Sequence, residues 1–196
     1  MRREKVSVSA GAALLLSALY LLLGWDMLLI IALPAAAHEL GHVLALRAQG
    51  AKIRRIRADM TGLCMTYTGD LSPAGQWCAA FAGPAAGALY ALAASFLGGR
   101  LGSTVLEKSA GVSIIFTAFN LLPAMPLDGG RMLISLLQAF PSKAEAALEI
   151  TGLASGIALL LGGLYMVCRG WGMALEIAGI WLLLSQKGIV KQPGVL

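Results

Sequence analysis

Six long apolar runs, separated by short charged gaps, leave this chain little choice of environment. They cover about residues 7–24, 27–47, 73–97, 104–124, 146–168 and 171–189. A helix needs about 20 apolar residues to cross a hydrocarbon layer roughly 30 Å thick, and these runs are of that order. The fourth run frays into Pro123 and Pro126, and 127–142 is expected to form a short interfacial helix closed by Pro141. Charge is too scarce for a water-facing surface: 13% of the 196 residues are charged, against about 25% in a soluble domain. A soluble globular enzyme and a disordered tail are therefore excluded. The expected fold class is an all-α polytopic membrane protein of about six transmembrane helices.

The net charge of +5 does not mark a nucleic-acid surface, because the basic residues sit in the gaps between apolar runs. There they report orientation. With the N-terminus inside, six crossings place Arg2, Arg3, Lys5, Arg47, Lys52, Arg54, Arg55, Arg57, Arg131, Lys143, Lys187 and Lys191 on the cytoplasmic side. Only Arg100, Lys108 and Arg169 remain outside. The expectation is a multi-pass protein of a bacterial cell membrane with both termini cytoplasmic. Cleavage of a signal peptide at Ala35-Ala36-Ala37 is disfavoured, because Trp25 and Asp26 interrupt the apolar stretch and the segment is too long. Cys64, Cys78 and Cys168 have no metal-like spacing and are expected to be packed thiols.

The chain has two histidines, and they are four residues apart in His38-Glu39-Leu40-Gly41-His42. On a helix, positions i and i+4 share a face one turn apart, so both imidazoles reach one metal ion. A glutamate directly after the first histidine suits a general base toward a metal-activated water. The competing reading, two histidines satisfied by hydrogen bonds between helices, must explain three ionisable groups within one and a half turns of a membrane span, where such groups are costly.

A catalytic zinc site commonly takes three protein ligands and keeps a fourth position open. With no third histidine, the remaining ligand is a carboxylate or a thiolate. Glu176 and Asp26 fall toward the outer face, Asp59 and Asp70 in the loop, and Glu145 and Glu149 at the start of the fifth run outside any local motif. Asp128 follows the fourth run on the cytoplasmic side, in Asn120-Leu-Leu-Pro123-Ala-Met-Pro126-Leu127-Asp128-Gly129-Gly130-Arg131. Read alone, Asp-Gly is an ordinary turn. The missing ligand and the shared membrane side favour coordination.

These two segments resemble the motifs of the site-2 family of intramembrane zinc metalloproteases, HExxH at 38–42 and N-x-x-P-x-x-P-L-D-G at 120–129. Phe81-Ala82-Gly83-Pro84 is a weaker third match. The resemblance covers most of residues 27–140. It implies a three-helix catalytic core there, with 7–24, 146–168 and 171–189 as accessory helices. It also implies one zinc ion held by His38, His42 and Asp128, Glu39 activating the water, and Asn120 positioning substrate backbone or stabilising the oxyanion. The substrates implied are membrane-embedded or membrane-associated proteins, cleaved near the cytoplasmic face, with regulatory membrane proteins as further partners. The sporulation-type branch, which cleaves a sigma-factor precursor, looks closest. Residues 1–196 are expected to form a single protease domain without PDZ or CBS domains, as a minimal or truncated member.

The loop 51–72 reads as two short strands, Ile53–Arg57 and Leu63–Thr68, with Thr61-Gly62 as the turn. This small hairpin or sheet at the cytoplasmic membrane edge either accepts an unwound substrate as an added strand or lies as an amphipathic hairpin on the bilayer. The basic stretch Lys52–Arg57 is read first as an anchor on anionic lipid. Gly83-x-x-x-Gly87 and Gly152-x-x-x-Gly156 are read as close helix contacts. Two other functions stay open on sequence: a membrane peptidase acting on soluble substrates, and a non-catalytic zinc-binding protein.

Overall fold

The computed structural model describes residues 5–59, 62–170 and 172–186. Among the described residues, six helices and one small sheet follow in the order β1 (Lys5–Val8), α1 (Ala10–Ala48), β2 (Lys52–Asp59), β3 (Gly62–Thr68), α2 (Pro73–Leu101), α3 (Thr104–Asn120), α4 (Asp128–Leu136), α5 (Pro141–Cys168) and α6 (Ala174–Ser185). Helices α1, α2 and α5 are long and apolar enough to cross a membrane; α6 is apolar but has only 12 residues. Their outward faces carry Leu14, Leu21, Leu22, Leu89, Leu92, Ile150 and Leu161 in the open. Water would not tolerate that much contiguous apolar surface, whereas lipid tails match it.

The first two apolar runs are the two arms of α1. They meet at Gly24, whose φ of +77° breaks the helix inside an apolar stretch. Glycine tolerates this conformation because it has no Cβ to clash with the following carbonyl. Pro34 lies within continuous helix and is fully buried, so the change of direction belongs to Gly24 and not to the proline. The fourth run is shorter than expected, with α3 ending at Asn120 before the prolines. Pro141 does not close the short amphipathic helix: α4 ends at Leu136, and Pro141 opens α5. A first-turn proline has no helical hydrogen bond to lose and its φ is already set for the helix.

Serines start the other core helices. The side chains of Ser9, Ser72 and Ser103 accept from the backbone N–H groups of Ala12, Gly75 and Leu106, which the first turns leave unpaired. Gly102, in the left-handed region at φ +62°, ends α2 and allows the immediate reversal into α3. The second arm of α1 packs on α2 and α3, and these three form the core of the molecule.

The expected hairpin is present, as β2 and β3 paired antiparallel, and it acquires a third strand. β1 pairs parallel to β2, with Val6 opposite Ile56 and Val8 opposite Ala58. The expected turn residue Thr61 lies outside the described residues. Ile53 and Ile56 are three apart and would face opposite ways in a regular strand. A bulge between Ile53 and Arg55 absorbs Arg54, so Ile53 pairs with Tyr67 and Ile56 with Met65 on one face. Ile53 and Met65 are buried. Arg55 and Arg57 take the other face, opposite Thr66 and Cys64. Tyr67 and Leu71 pack against Leu46, Ala51 and Ala79, which fixes the sheet to the ends of α1 and α2.

Candidate metal centre

The site is assembled from α1 and α4, which are far apart in sequence. His38 and His42 lie one turn apart on the second arm of α1 and are 2% and 5% exposed. Asp128, 5% exposed, is the first residue of α4. The histidine Nε2 atoms are 3.2 Å apart, and they lie 3.0 Å and 3.3 Å from Asp128 Oδ2. Four-coordinate zinc with ligand bonds of about 2.0–2.1 Å places its ligand atoms about 3.3 Å from one another. The three atoms therefore already have the separations of one face of that tetrahedron.

Proton bookkeeping gives the same answer. Nδ1 of His42 lies 2.8 Å from the carbonyl of Ala79; a carbonyl only accepts, so Nδ1 carries the proton. In the neutral imidazole Nε2 is then a bare lone pair, facing Asp128 Oδ2, which itself receives no hydrogen bond among the described residues. Buried acceptors aimed at one another are costly unless a cation lies between them. The residues present thus fit a zinc ion, with the Ala79 carbonyl fixing the tautomer and orientation of one ligand. His38 is held differently: its ring packs edge-on against Phe116 at 5.0 Å between centroids.

Two glycine positions make room for this arrangement. A Cβ on Gly83 would run into Nε2 of His42 and lie 2.8 Å from Nε2 of His38. The Phe81-Ala82-Gly83-Pro84 segment therefore does more than pack helices: it leaves α2 smooth where the imidazoles converge. A Cβ on Gly129 would meet the carbonyls of Leu121 and Leu122, and one on Gly130 would lie 2.7 Å from the carbonyl of Ala124. The glycines after Asp128 let α4 start directly against the 121–127 loop, and this carries Asp128 to the histidines. In the same loop, Leu127 N–H donates to Ala124 O at 2.9 Å, and Thr151 of α5 donates its hydroxyl to the Pro123 carbonyl.

Glu39 is half-buried, and its carboxylate interacts electrostatically with both histidines, Asp128 and Arg131. Asn120 is the last residue of α3, half-buried, with its side-chain amide donating to Phe116 O at 2.9 Å. Five of the other carboxylates considered as third ligand are not in the cluster. Asp26, Asp70, Glu145 and Glu149 are exposed, and Glu176 packs against Gly163 between α5 and α6. Among the described residues, His38, His42 and Asp128 are the group placed to hold a metal. No local pattern pointed to the Ala79 carbonyl, and Gly83 was visible only as part of a motif.

Comparison with known proteins gives matches of three kinds. Residues 101–163 match the family model described as Peptidase family M50, a stretch that includes Asn120 and Asp128 but not the histidines. A Synechocystis protein named as a zinc metalloprotease is 27% identical over 181 residues, spanning 88% of this chain and 47% of the relative. A Mycobacterium tuberculosis protein, also named as a zinc metalloprotease, is 30% identical over 176 residues, spanning 78% of this chain and 45% of the relative. The chain thus spans about half the length of these curated relatives. The site-2 protease from Methanocaldococcus jannaschii superimposes with a TM-score of 0.70 at 18% identity, covering 98% of this chain and 94% of that one.

The chain thus has the fold of a site-2 protease, a buried donor triad placed to hold a metal, and relatives named as zinc metalloproteases. Within the chain, residues 101–163 carry the match to peptidase family M50.

Proposed function

We propose that the chain hydrolyses peptide bonds of membrane-embedded or membrane-associated proteins near the cytoplasmic face, using one zinc ion held by His38, His42 and Asp128. The observation that carries this reading is the triangle of buried ligand atoms 3.0–3.3 Å apart, with Glu39 beside it on the same helical turn. When bound, zinc acts as a Lewis acid that eases ionisation of water and polarises a carbonyl. Glu39 takes the proton from the attacking water as oxygen bonds to the carbonyl carbon, and it returns that proton to the amine nitrogen as the C–N bond breaks. Asn120, at the mouth of the 121–127 loop, orients the substrate backbone.

A helical peptide bond is hydrogen-bonded and sterically hidden, so the substrate must unwind first. The outer edge of β3 offers the unwound segment a strand to pair with. Residues 27–140 act as the catalytic core, and the first arm of α1 with α5 and α6 as accessory helices. A membrane-tethered transcription-factor precursor or anti-sigma factor is the kind of substrate such a site would release, in keeping with a place near the sporulation-type branch.

The test is cleavage of a membrane-anchored reporter by the purified protein in liposomes. Glu39→Gln should retain zinc and lose cleavage by at least a thousandfold. Cleavage by Glu39→Gln at the wild-type rate would remove the proposed base.

A further inference from the structure

Arg131 is a charged group at the site that the mechanism above leaves unused. It lies three residues after Asp128 on α4, and on a helix that spacing puts both side chains on one face. Its charge acts both on Glu39 of α1 and on Tyr67 of β3. Arg131 is therefore within electrostatic reach both of the metal-ligand cluster and of the strand with which an unwound substrate would pair. Its Nε is shut off from solvent and meets no acceptor among the described residues.

A buried N–H with no acceptor is costly to leave unmade, so an arginine held this way is poised for a ligand that supplies one. Guanidinium stays protonated in proteins and presents donors in a fixed fork, so it can stabilise negative charge without exchanging a proton. A backbone carbonyl is the acceptor that every peptide substrate brings. Tyr67 contributes to the same setting. Burial pushes its phenol above the ordinary range, against the opposing effect of the Arg131 charge, so the hydroxyl stays neutral beside the guanidinium.

We infer that Arg131 donates a hydrogen bond to the carbonyl oxygen of the scissile peptide and strengthens it as negative charge develops there. This inference rests on the protease reading above. Donors preorganised toward a developing oxyanion are worth more in the transition state than in the ground state, and losing one costs about 10²–10³-fold in turnover. The structure favours this role over capture of an acidic substrate side chain, because the buried Nε lies on the side-chain face shared with Asp128 and not on the exposed charged face of the sheet.

The experiment compares wild type, Arg131→Lys and Arg131→Gln in liposomes, with zinc content, kcat and KM measured on one membrane-anchored reporter. Binding of the same reporter is measured in the Glu39→Gln background, with and without Arg131→Gln. The expected result is full zinc content, kcat lowered about a hundredfold or more in Arg131→Gln, partial recovery in Arg131→Lys, and unchanged reporter binding. Raised KM with unchanged kcat, or weakened reporter binding, would make Arg131 a ground-state anchor and overturn the inference. Loss of zinc in both variants would make it structural and overturn it equally. Wild-type protein that holds zinc but cleaves no reporter would instead count against the protease reading, which separates the two failures.

Discussion

At the scale of single residues, the centre is defined as much by what is missing from side chains as by what they carry. Gly83 has no Cβ where one would strike the imidazole of His42 and crowd that of His38. Gly83→Ala should therefore lower zinc affinity at least tenfold while leaving expression and helix content intact, as read by chelator competition. The control is Gly111→Ala in α3, where a Cβ would have open space. There the smaller conformational freedom of alanine should leave zinc binding unchanged and raise stability slightly, by roughly 0.5–1 kcal/mol. Asp128→Ala removes the one anionic donor from a buried triad and should abolish stoichiometric zinc binding.

The histidines, Glu39 and Asp128 could all be found in the sequence, because their chemistry depends on residue type and on a spacing of one helical turn. Gly83 and the Ala79 carbonyl could not be assigned roles that way. Their contribution lies in where α2 crosses α1, and no local pattern encodes a crossing point. Arg131 was visible only as a positive charge counted toward orientation; its place beside Glu39 appears once α4 is set against α1.

At the scale of elements, α4 and the sheet decide whether the residues meet. Asp128 reaches α1 because Gly129 and Gly130 press the start of α4 onto the carbonyls of Leu121, Leu122 and Ala124. Gly129→Ala should shift that helix start and weaken zinc binding, although residue 129 touches no metal ligand through a side chain of its own. A Gly129→Ala protein with wild-type zinc affinity would show that the loop yields. The hairpin was legible because its strands are rich in β-branched and aromatic residues bounded by glycine. β1 was not, since four residues are too few to stand out beside the apolar arm that follows, and pairing with β2 alone defines them as a strand. The end of α4 and the start of α5 were misplaced because a proline both ends helices and begins them.

The sheet edge also carries a functional prediction. Prolines placed one at a time from Cys64 to Thr68 should separate two kinds of position. Where the N–H points to β2 they break the hairpin; where it points outward they leave it folded. At outward positions, cleavage of a helical substrate should slow more than cleavage of a pre-unwound one. Equal slowing of both would reject strand addition.

At the scale of the whole molecule, scarcity of charge is turned to two uses. Twelve of the fifteen lysines and arginines fall in gaps expected on one membrane side, and lipid-facing surfaces carry almost none. The few remaining polar groups converge on α1, α4 and the loop before it, where backbone that leaves the helix is buried within protein. Attaching α5 to this loop through Thr151, and α6 through Leu182 against Ala124 and Leu127, ties the accessory helices to the segment that positions Asp128. Thr151→Val should remove the hydroxyl donated to the Pro123 carbonyl at nearly constant volume. It should lower thermal stability by about 1 kcal/mol with the zinc stoichiometry unchanged.

The central claim is that a single zinc ion is held by His38, His42 and Asp128. X-ray absorption at the zinc edge on the purified protein tests it most directly, read together with the stoichiometry. One zinc per chain with two imidazole nitrogens and a carboxylate oxygen at about 2.0–2.2 Å is the expected result, and it should vanish in Asp128→Ala. Zinc ligated by sulfur, or an Asp128→Ala protein with the same coordination as wild type, would contradict it.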